Sequence, residues 1–155
     1  MSGTILVVDD DDSIRSLLRT YLEEEGYLVR TAVDGAEALR LVLNDVRPDL
    51  LLLDIGLPVV NGIEFVKIYR ARAEPPYAPI LIISARGDAR EISAELDCDG
   101  YVNKPFSLED VSESIAAAMA KNGTPPRERI YRNPEHMRSV VWADQAGQVG
   151  QAPIH

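Results

Sequence analysis

Short apolar runs alternate with amphipathic segments over the first 121 residues of the chain. Five runs are bounded by turn-forming or charged residues and predict β-strands at residues 4–8, 27–32, 50–54, 80–84 and 101–103. In the third run, four leucines lead directly into Asp54 without any polar alternation. This pattern predicts a strand that is buried on both faces, as in a parallel sheet covered by helices.

Helical spacing of apolar residues fills the segments between these runs. The clearest case predicts a first helix that ends at Gly26 and has one apolar face, formed by Ile14, Leu17, Leu18, Tyr21 and Leu22. Four more helices are predicted. Three of them have clear inward residues, which are Ala38, Leu39, Val42 and Val46 in the second helix, Ile63, Val66 and Tyr69 in the third, and Leu108, Val111, Ile115 and Met119 in the fifth. The fourth helix is short and is predicted over about residues 88–96. Typical start signals precede three of them: Asp34, the pair Asn61 and Glu64, and the pair Ser107 and Asp110.

Five strands that alternate with five helices predict an α/β fold with a doubly wound parallel sheet. The alternation defines one domain over residues 1–121. From residue 122 onwards, glycine and proline punctuate a polar segment, and the apolar residues Val140, Val141 and Trp142 follow no clear period. We therefore expect residues 122–155 to form a flexible or loosely docked tail without an output domain.

Composition narrows the classes of function. Hydrophobic residues make up 46% of the 155-residue chain, which is typical of a globular protein, and the net charge of -9 argues against direct nucleic-acid binding. Apolar stretches fall short of the roughly 20 residues of a membrane span, and the N-terminus lacks the features of a signal peptide. The single cysteine excludes an internal disulfide and suits a reducing compartment, so a cytoplasmic protein without membrane contact is expected.

Chemically versatile residues stand where four of the predicted strands end. Asp9 and Asp10 follow the first strand, Asp54 ends the third, Ser84 the fourth, and Lys104 follows the fifth. The carboxyl ends of parallel strands share one edge of the sheet, which is where open α/β folds bind ligands. Clustered carboxylates repel one another, and a hard cation such as Mg²⁺ relieves that repulsion. With a lysine and a hydroxyl nearby, the set predicts a site for a phosphoryl group carried on Asp54.

Each of these residues also has a simpler interpretation. The acidic run that begins at Asp9 could serve simply to cap a helix and have no other role. Asp54 and Ser84 could be turn residues, and Lys104 could be an ordinary surface lysine. We favour the phosphoryl site, because residues suited to it stand at the ends of four different strands, in one order along the chain.

The sequence resembles the receiver domain of two-component response regulators over about residues 4–121. The resemblance is carried by Ile5–Asp10, by Leu53–Pro58 with Asn61 and Gly62, by Ile83–Arg86, and by Gly100–Phe106. It implies a flavodoxin-like sheet of order 2-1-3-4-5.

The resemblance also implies a role for each site residue. Asp54 would accept a phosphoryl group from a histidine kinase or a histidine phosphotransferase. Mg²⁺ would be held by Asp9, Asp10 and Asp54 and by the backbone carbonyl of Gly56. Lys104 and Ser84 would contact the phosphoryl group, and Tyr101 would swing inward as Ser84 moves.

Two departures from the family pattern stand out. Serine at position 84 replaces the commoner threonine and keeps the hydroxyl. Asp97 stands where many members have a helix-ending glycine, so the loop before the last strand is expected to differ, because aspartate tolerates the left-handed conformation less well.

Output is expected through a downstream protein that binds the face formed by the fourth helix, the last strand and the last helix, where Ala116, Ala117 and Ala118 would let a partner approach. A homodimer formed on phosphorylation remains an alternative. The arginine that pairs DNA-binding members across a dimer is missing near the start of the last helix.

Two other functions use similar residues. An aspartate-nucleophile phosphohydrolase would need a substrate cap, and the short connections supply none. A nucleotide- or flavin-binding module would need a glycine-rich phosphate loop after the first strand, where acidic residues stand instead. We therefore expect a signalling protein that catalyses only its own phosphorylation and dephosphorylation.

Overall fold

The computed structural model describes residues 3–120, 141–143 and 149–151. Five parallel strands form one sheet in the order β2-β1-β3-β4-β5, with β1 at Thr4–Val8, β2 at Leu28–Ala32, β3 at Leu50–Asp54, β4 at Ile80–Ser84 and β5 at Gly100–Asn103. Five helices connect or follow them: α1 Asp12–Glu24, α2 Gly35–Asn44, α3 Gly62–Arg72, α4 Ala89–Glu95 and α5 Leu108–Ala120. The predicted fold class and strand order are confirmed.

The run of leucines in β3 is divided between two hydrophobic cores. Leu51 and Leu53 face the core under α2, α3 and α4, whereas Leu50 and Leu52 face the core under α1 and α5. Successive side chains of a strand point to opposite faces, so only a strand that is covered on both sides buries every residue. All four leucines are fully buried, as the apolar run predicts.

Helix starts follow the predicted signals. The Asp34 side chain accepts a hydrogen bond from the backbone N–H of Glu37, and Asn61 forms a reciprocal capping box with Glu64. The Ser107 hydroxyl accepts from the backbone N–H of Asp110. These caps satisfy amide groups that the first helical turn leaves without partners.

The structure corrects several predicted details of the helices and of the second strand. Leu17 is half exposed although it fits the apolar face of α1. Ala118 is buried in α5, so it does not belong to the exposed surface expected for Ala116 and Ala117. The second strand begins at Leu28 rather than at Tyr27, whereas the fourth helix, Ala89–Glu95 with Asp88 and Leu96 as its caps, agrees with the predicted span of about residues 88–96.

Asp97 lies in the loop between α4 and β5 and adopts a left-handed backbone conformation with φ of 52°. The buried side chain of Arg70, in α3, donates hydrogen bonds to the backbone carbonyls of Leu96 and Asp97. These bonds satisfy carbonyls at the end of α4 and support the left-handed conformation at a position where many members of the resembled family have glycine.

A short antiparallel hairpin lies within the predicted tail. Its strands are β6, Val141–Ala143, and β7, Val149–Gln151. The sequence predicted no regular structure there. The other residues of the predicted tail lie outside the described residues, and the independence of residues 122–155 from the domain stays a prediction. Within the described part of the chain, none of the helices has the length and apolar character needed to cross a membrane.

Candidate functional site

The carboxyl edge of the sheet brings the predicted site residues together. Asp9 directly follows β1, Asp54 ends β3 and Lys104 directly follows β5. Asp9, Asp10 and Asp54 each offer a carboxylate oxygen, and these oxygens all lie within 4.8 Å of one another. Asp9 and Asp54 are buried, whereas Asp10 is exposed. The cluster is therefore open to solvent on the Asp10 side.

Lys104 bridges the two buried carboxylates. Its Nζ lies 2.9 Å from Asp9 Oδ2 and 3.0 Å from Asp54 Oδ2. The other oxygen of each carboxylate is held by the backbone: Asp9 Oδ1 accepts from the N–H of Asp11, and Asp54 Oδ1 accepts from the N–H of Gly56. Both carboxylates are thus oriented by one backbone amide and one shared ammonium group.

Burial and charge pull the pKa values of this cluster in opposite directions. Desolvation is the largest cause that raises the pKa of Asp9, and the charge of Asp54 raises it further, against the lowering effects of Asp11 and Lys104. Burial alone would lower the pKa of Lys104, but its bonds to Asp9 and Asp54 raise it overall. The lysine is therefore a firmly charged partner, whereas Asp9 is an incompletely stabilised anion.

The cluster suits a hard divalent cation. Asp9 Oδ2 is a buried oxygen whose one polar partner among the described residues is the ammonium group of Lys104, at 2.9 Å. The ligand atoms that Asp9, Asp10 and Asp54 offer to a metal are all carboxylate oxygens, which Mg²⁺ prefers. A cation would give Asp9 the charge compensation that a single lysine shared between two carboxylates does not complete.

Ser84 reaches the same edge but is not bonded to Asp54. Its hydroxyl donates to Asp88 Oδ1 at 2.8 Å and accepts from the backbone N–H of Arg86 at 3.1 Å. Tyr101 is 40% exposed on β5. Neither hydrogen bond of the Ser84 hydroxyl involves the carboxylate cluster, and Tyr101 is partly exposed to solvent.

Sequence reasoning did not predict the contacts that three residues make around the site. Asp11 caps α1 by accepting from the backbone N–H groups of Ser13 and Ile14. Arg15 donates to the backbone carbonyl of Asp9 at 2.8 Å and pairs with Asp12. Asp88 holds Ser84. The sequence allowed the acidic run to cap a helix but did not single out Asp11 among four consecutive aspartates, and no sequence signal distinguished Arg15 or Asp88 from other surface charges.

Two glycines allow the loop after Asp54 to pack closely. A Cβ on Gly62 would lie 2.7 Å from the carbonyl oxygen of Asp54, and one on Gly35 would lie 1.9 Å from the carbonyl oxygen of Val60. Neither space admits a side chain, so both positions need glycine. The loop that follows the candidate phosphoacceptor is thereby pressed against the first turns of α2 and α3.

Comparison with known sequences identifies the relatives of this chain. The profile of the response regulator receiver domain matches residues 5–116. The response regulator MprA of Mycobacterium ulcerans (strain Agy99) is 41% identical over 123 residues, which cover 78% of this chain and 52% of the relative. The alkaline phosphatase synthesis transcriptional regulatory protein PhoP of Bacillus subtilis (strain 168) is 36% identical over 146 residues, covering 93% and 60%. The chain spans little more than half the length of these relatives.

Solved structures agree with the sequence matches. The chemotaxis response regulator CheY4 of Vibrio cholerae is 31% identical with a TM-score of 0.69, covering 76% of this chain and 99% of that one. The response regulator TrrA of Thermotoga maritima, determined in complex with Mg²⁺ and BeF, is 34% identical with a TM-score of 0.64, covering 74% and 97%. Since the profile covers most of the chain and the sheet order is the same as that implied by the resemblance, this chain belongs to the receiver domain family of two-component response regulators.

Proposed function

We propose that Asp54 is the phosphoryl acceptor of this domain and that a sensor histidine kinase or a histidine phosphotransferase is the donor. The observation that carries the proposal is the position of Lys104 Nζ, 3.0 Å from Asp54 and 2.9 Å from Asp9 at the carboxyl edge of the sheet. Asp54 is thus a buried, oriented carboxylate beside a fixed cation and an open, acidic cluster. That combination suits a nucleophile for phosphoryl transfer.

The chemistry follows from these contacts. An oxygen of Asp54 supplies the electron pair for a new bond to phosphorus, while the bond between phosphorus and the donor imidazole nitrogen breaks and its electron pair leaves with the imidazole. The ammonium group of Lys104 neutralises charge on the phosphoryl oxygens. After transfer, the Ser84 hydroxyl leaves Asp88 and donates a hydrogen bond to an oxygen of the phosphoryl group on Asp54. Positioning and charge neutralisation are the main requirements of such a transfer.

We assign Mg²⁺ as the cofactor, held by the carboxylates of Asp9, Asp10 and Asp54 and by the carbonyl of Gly56. Its role when bound is to neutralise phosphoryl oxygens during transfer. The buried, incompletely satisfied oxygen of Asp9 supports this assignment. The Thermotoga relative determined with Mg²⁺ and BeF supports it as well.

The test of Asp54 is incubation with phosphoramidate or acetyl phosphate and Mg²⁺, followed by intact mass measurement. We expect one base-labile phosphoryl adduct on the parent and none on Asp54→Asn. Asp45→Asn is the matched control, because Asp45 is an exposed aspartate paired with Arg30 outside the cluster. Equal uptake by Asp54→Asn and the parent would refute the assignment, and uptake that survives removal of Mg²⁺ with a chelator would refute the cofactor.

We further propose that phosphorylation changes the surface formed by α4, β5 and α5 for binding of a downstream protein. Ser84 leads directly into the α4 segment, Tyr101 is partly exposed on β5, and Ala116 and Ala117 are exposed on α5. Amide hydrogen exchange with and without beryllofluoride, a phosphoryl mimic, should show changes concentrated on these three elements. Changes confined to the metal site or centred on α1 would contradict this route, whereas a concentration-dependent doubling of mass would favour the homodimer.

One observation favours a second output, which is the regulation of transcription through DNA. The Bacillus subtilis relative is named as a transcriptional regulator, and its match extends over 93% of this chain. The charge of -9 opposes direct DNA contact by the chain itself. A mobility-shift measurement at low salt with the phosphorylated chain distinguishes the two, since we expect no binding to double-stranded DNA.

We also propose that the domain does not act as an enzyme on other substrates. Phosphate release from p-nitrophenyl phosphate should then not exceed one equivalent per protein. Continuous turnover would favour a phosphohydrolase instead. The cytoplasmic location and the lack of membrane contact expected from the sequence stay predictions.

A further inference from the structure

The one proton of the Ser84 hydroxyl is already used by a neighbouring carboxylate. Ser84 is 2% exposed, and its Oγ lies 2.8 Å from Asp88 Oδ1. The hydroxyl also accepts from the backbone N–H of Arg86, at 3.1 Å. A serine hydroxyl donates one hydrogen bond at a time. While Asp88 holds this proton, Ser84 cannot donate to a phosphoryl group on Asp54.

Asp88 is itself oriented for this contact. The guanidinium group of Arg86 lies 2.8 Å from Asp88 Oδ2, which leaves Oδ1 for Ser84. Gly87 has a left-handed φ of 79°, which turns the chain back between the two charged residues.

The carboxylate of Asp88 makes no hydrogen bond that would stabilise the start of the helix that follows. Asp88 stands at the N-cap position of α4 but makes no side-chain capping bond to it. The hydrogen bond from Ser84 is the largest cause that lowers the pKa of Asp88, so the carboxylate stays ionised at neutral pH.

We propose that Asp88 is a positioning residue that holds Ser84 in the unphosphorylated conformation and thereby weakens the affinity of the site for a phosphoryl group. This inference rests on the proposed phosphorylation of Asp54. A ligand that needs the Ser84 hydroxyl binds only the fraction of molecules in which Asp88 has released it, and its apparent affinity falls by that fraction. On release, Asp88 retains Arg86 as its partner, so no charge is left unpaired.

The test is a titration of the full chain with beryllofluoride in the presence of Mg²⁺, followed by NMR, for the parent, Asp88→Ala, Ser84→Ala and the double variant. We expect Asp88→Ala to tighten beryllofluoride binding by about threefold to tenfold. In the Ser84→Ala background the same change should alter affinity by less than about twofold, because the two residues act as one pair. In the unliganded Asp88→Ala protein, the amide signals of Ser84 and Tyr101 should move towards their positions in the liganded parent.

Charge and folding are controlled separately. Glu91→Gln removes an exposed negative charge from the first turn of α4 without touching Ser84, and it should leave affinity close to that of the parent. Asp88→Asn keeps an oxygen that can accept from Ser84, so it should tighten binding less than Asp88→Ala. If Asp88→Ala melts far below the parent, Asp88→Asn carries the test, and it should still tighten binding measurably, because a neutral amide oxygen accepts from Ser84 more weakly than a carboxylate does.

The outcomes separate the inference from the function on which it rests. A parent that binds no beryllofluoride would overturn the proposed phosphorylation of Asp54 and the inference with it. A parent that binds normally, with Asp88→Ala and Asp88→Asn unchanged or weaker, would overturn the inference alone. Equal tightening in the presence and absence of the Ser84 hydroxyl would assign the effect to charge and would also overturn it.

Discussion

Single residues at the carboxyl edge are arranged for chemistry at a cost to stability. Asp9 is fully buried, its Oδ2 has only the Lys104 ammonium group as a partner among the described residues, and burial raises its pKa. Lys104 is shared between Asp9 and Asp54, so neither carboxylate has a cation of its own. Removing one carboxylate should relieve part of this repulsion, because a buried anion without full compensation is costly.

Asp9→Asn should therefore raise the free energy of unfolding of the metal-free protein by roughly 1 kcal/mol. The same change should reduce the thermal stabilisation that Mg²⁺ gives the parent and slow phosphorylation. Urea unfolding with and without Mg²⁺ measures both effects. Asp10→Asn is the control, since Asp10 is exposed and should change metal-free stability little; a loss of stability in Asp9→Asn would contradict the argument.

Cys98 provides a prediction of pH dependence at the residue scale. Desolvation raises the pKa of its thiol to about 11, whereas an unfolded thiol titrates near 8.5. The folded state then binds more protons than the unfolded state between these values, so this contribution to stability is fully present below about pH 8.5 and declines as pH rises towards 11. Unfolding measured from pH 7.5 to 9.5 should show a steeper loss for the parent than for Cys98→Ala; equal slopes would show that the thiol does not contribute.

Among the elements, the loop between β3 and α3 is fixed by close backbone contacts. Gly35 at the start of α2 faces the carbonyl of Val60, and Gly62 at the start of α3 faces the backbone of Asp54 and Ile55. The loop therefore packs directly against the first turns of both helices. This arrangement ties the position of Asp54 to the packing of α2 and α3.

Gly35→Ala should lower the free energy of unfolding by about 2 kcal/mol and slow uptake of phosphate, because its Cβ would lie 1.9 Å from the Val60 carbonyl oxygen. Gly56→Ala is the matched control for stability, since the nearest atom would be 3.8 Å away. Chemical unfolding compares the two. A Gly35→Ala protein as stable as Gly56→Ala would mean that the loop shifts without strain.

At the scale of the whole molecule, two cores clamp a single sheet, and the hairpin of β6 and β7 lies beyond them in the sequence. The three central strands β1, β3 and β4 contribute to both cores. The described members of both cores lie between Ile5 and Met119, which supports the expectation that the domain folds without the segment that follows. β6 lies against α3, so the truncation also tests whether this contact stabilises the domain.

A chain that ends at Asn122 should melt within about 3 °C of the full chain and take up phosphate on Asp54 at the same rate. Differential scanning calorimetry and intact mass measurement give the two readings. A large drop in melting temperature would show that residues 123–155 stabilise the domain and that the division at residue 122 is wrong.

The sequence alone determined the layers, the strand order through the family resemblance, and the edge at which the chemistry lies. Local patterns sufficed because a strand buried on both faces has a short, unbroken apolar run between turn residues, and because parallel strands bring their carboxyl ends to one edge. Asp9, Asp10, Asp54 and Lys104 were predicted as one site for that reason.

Only the tertiary structure decided which partners the side chains choose. The bond of Asp88 to Ser84, the clash that Gly35 avoids and the support of the left-handed Asp97 by Arg70 each depend on atoms from separate segments or on loop dihedral angles. Periodicity does not encode such contacts, because it records which face of an element is apolar and not which polar groups meet across a loop. For the same reason Leu17 fits the apolar period of α1 but lies half exposed.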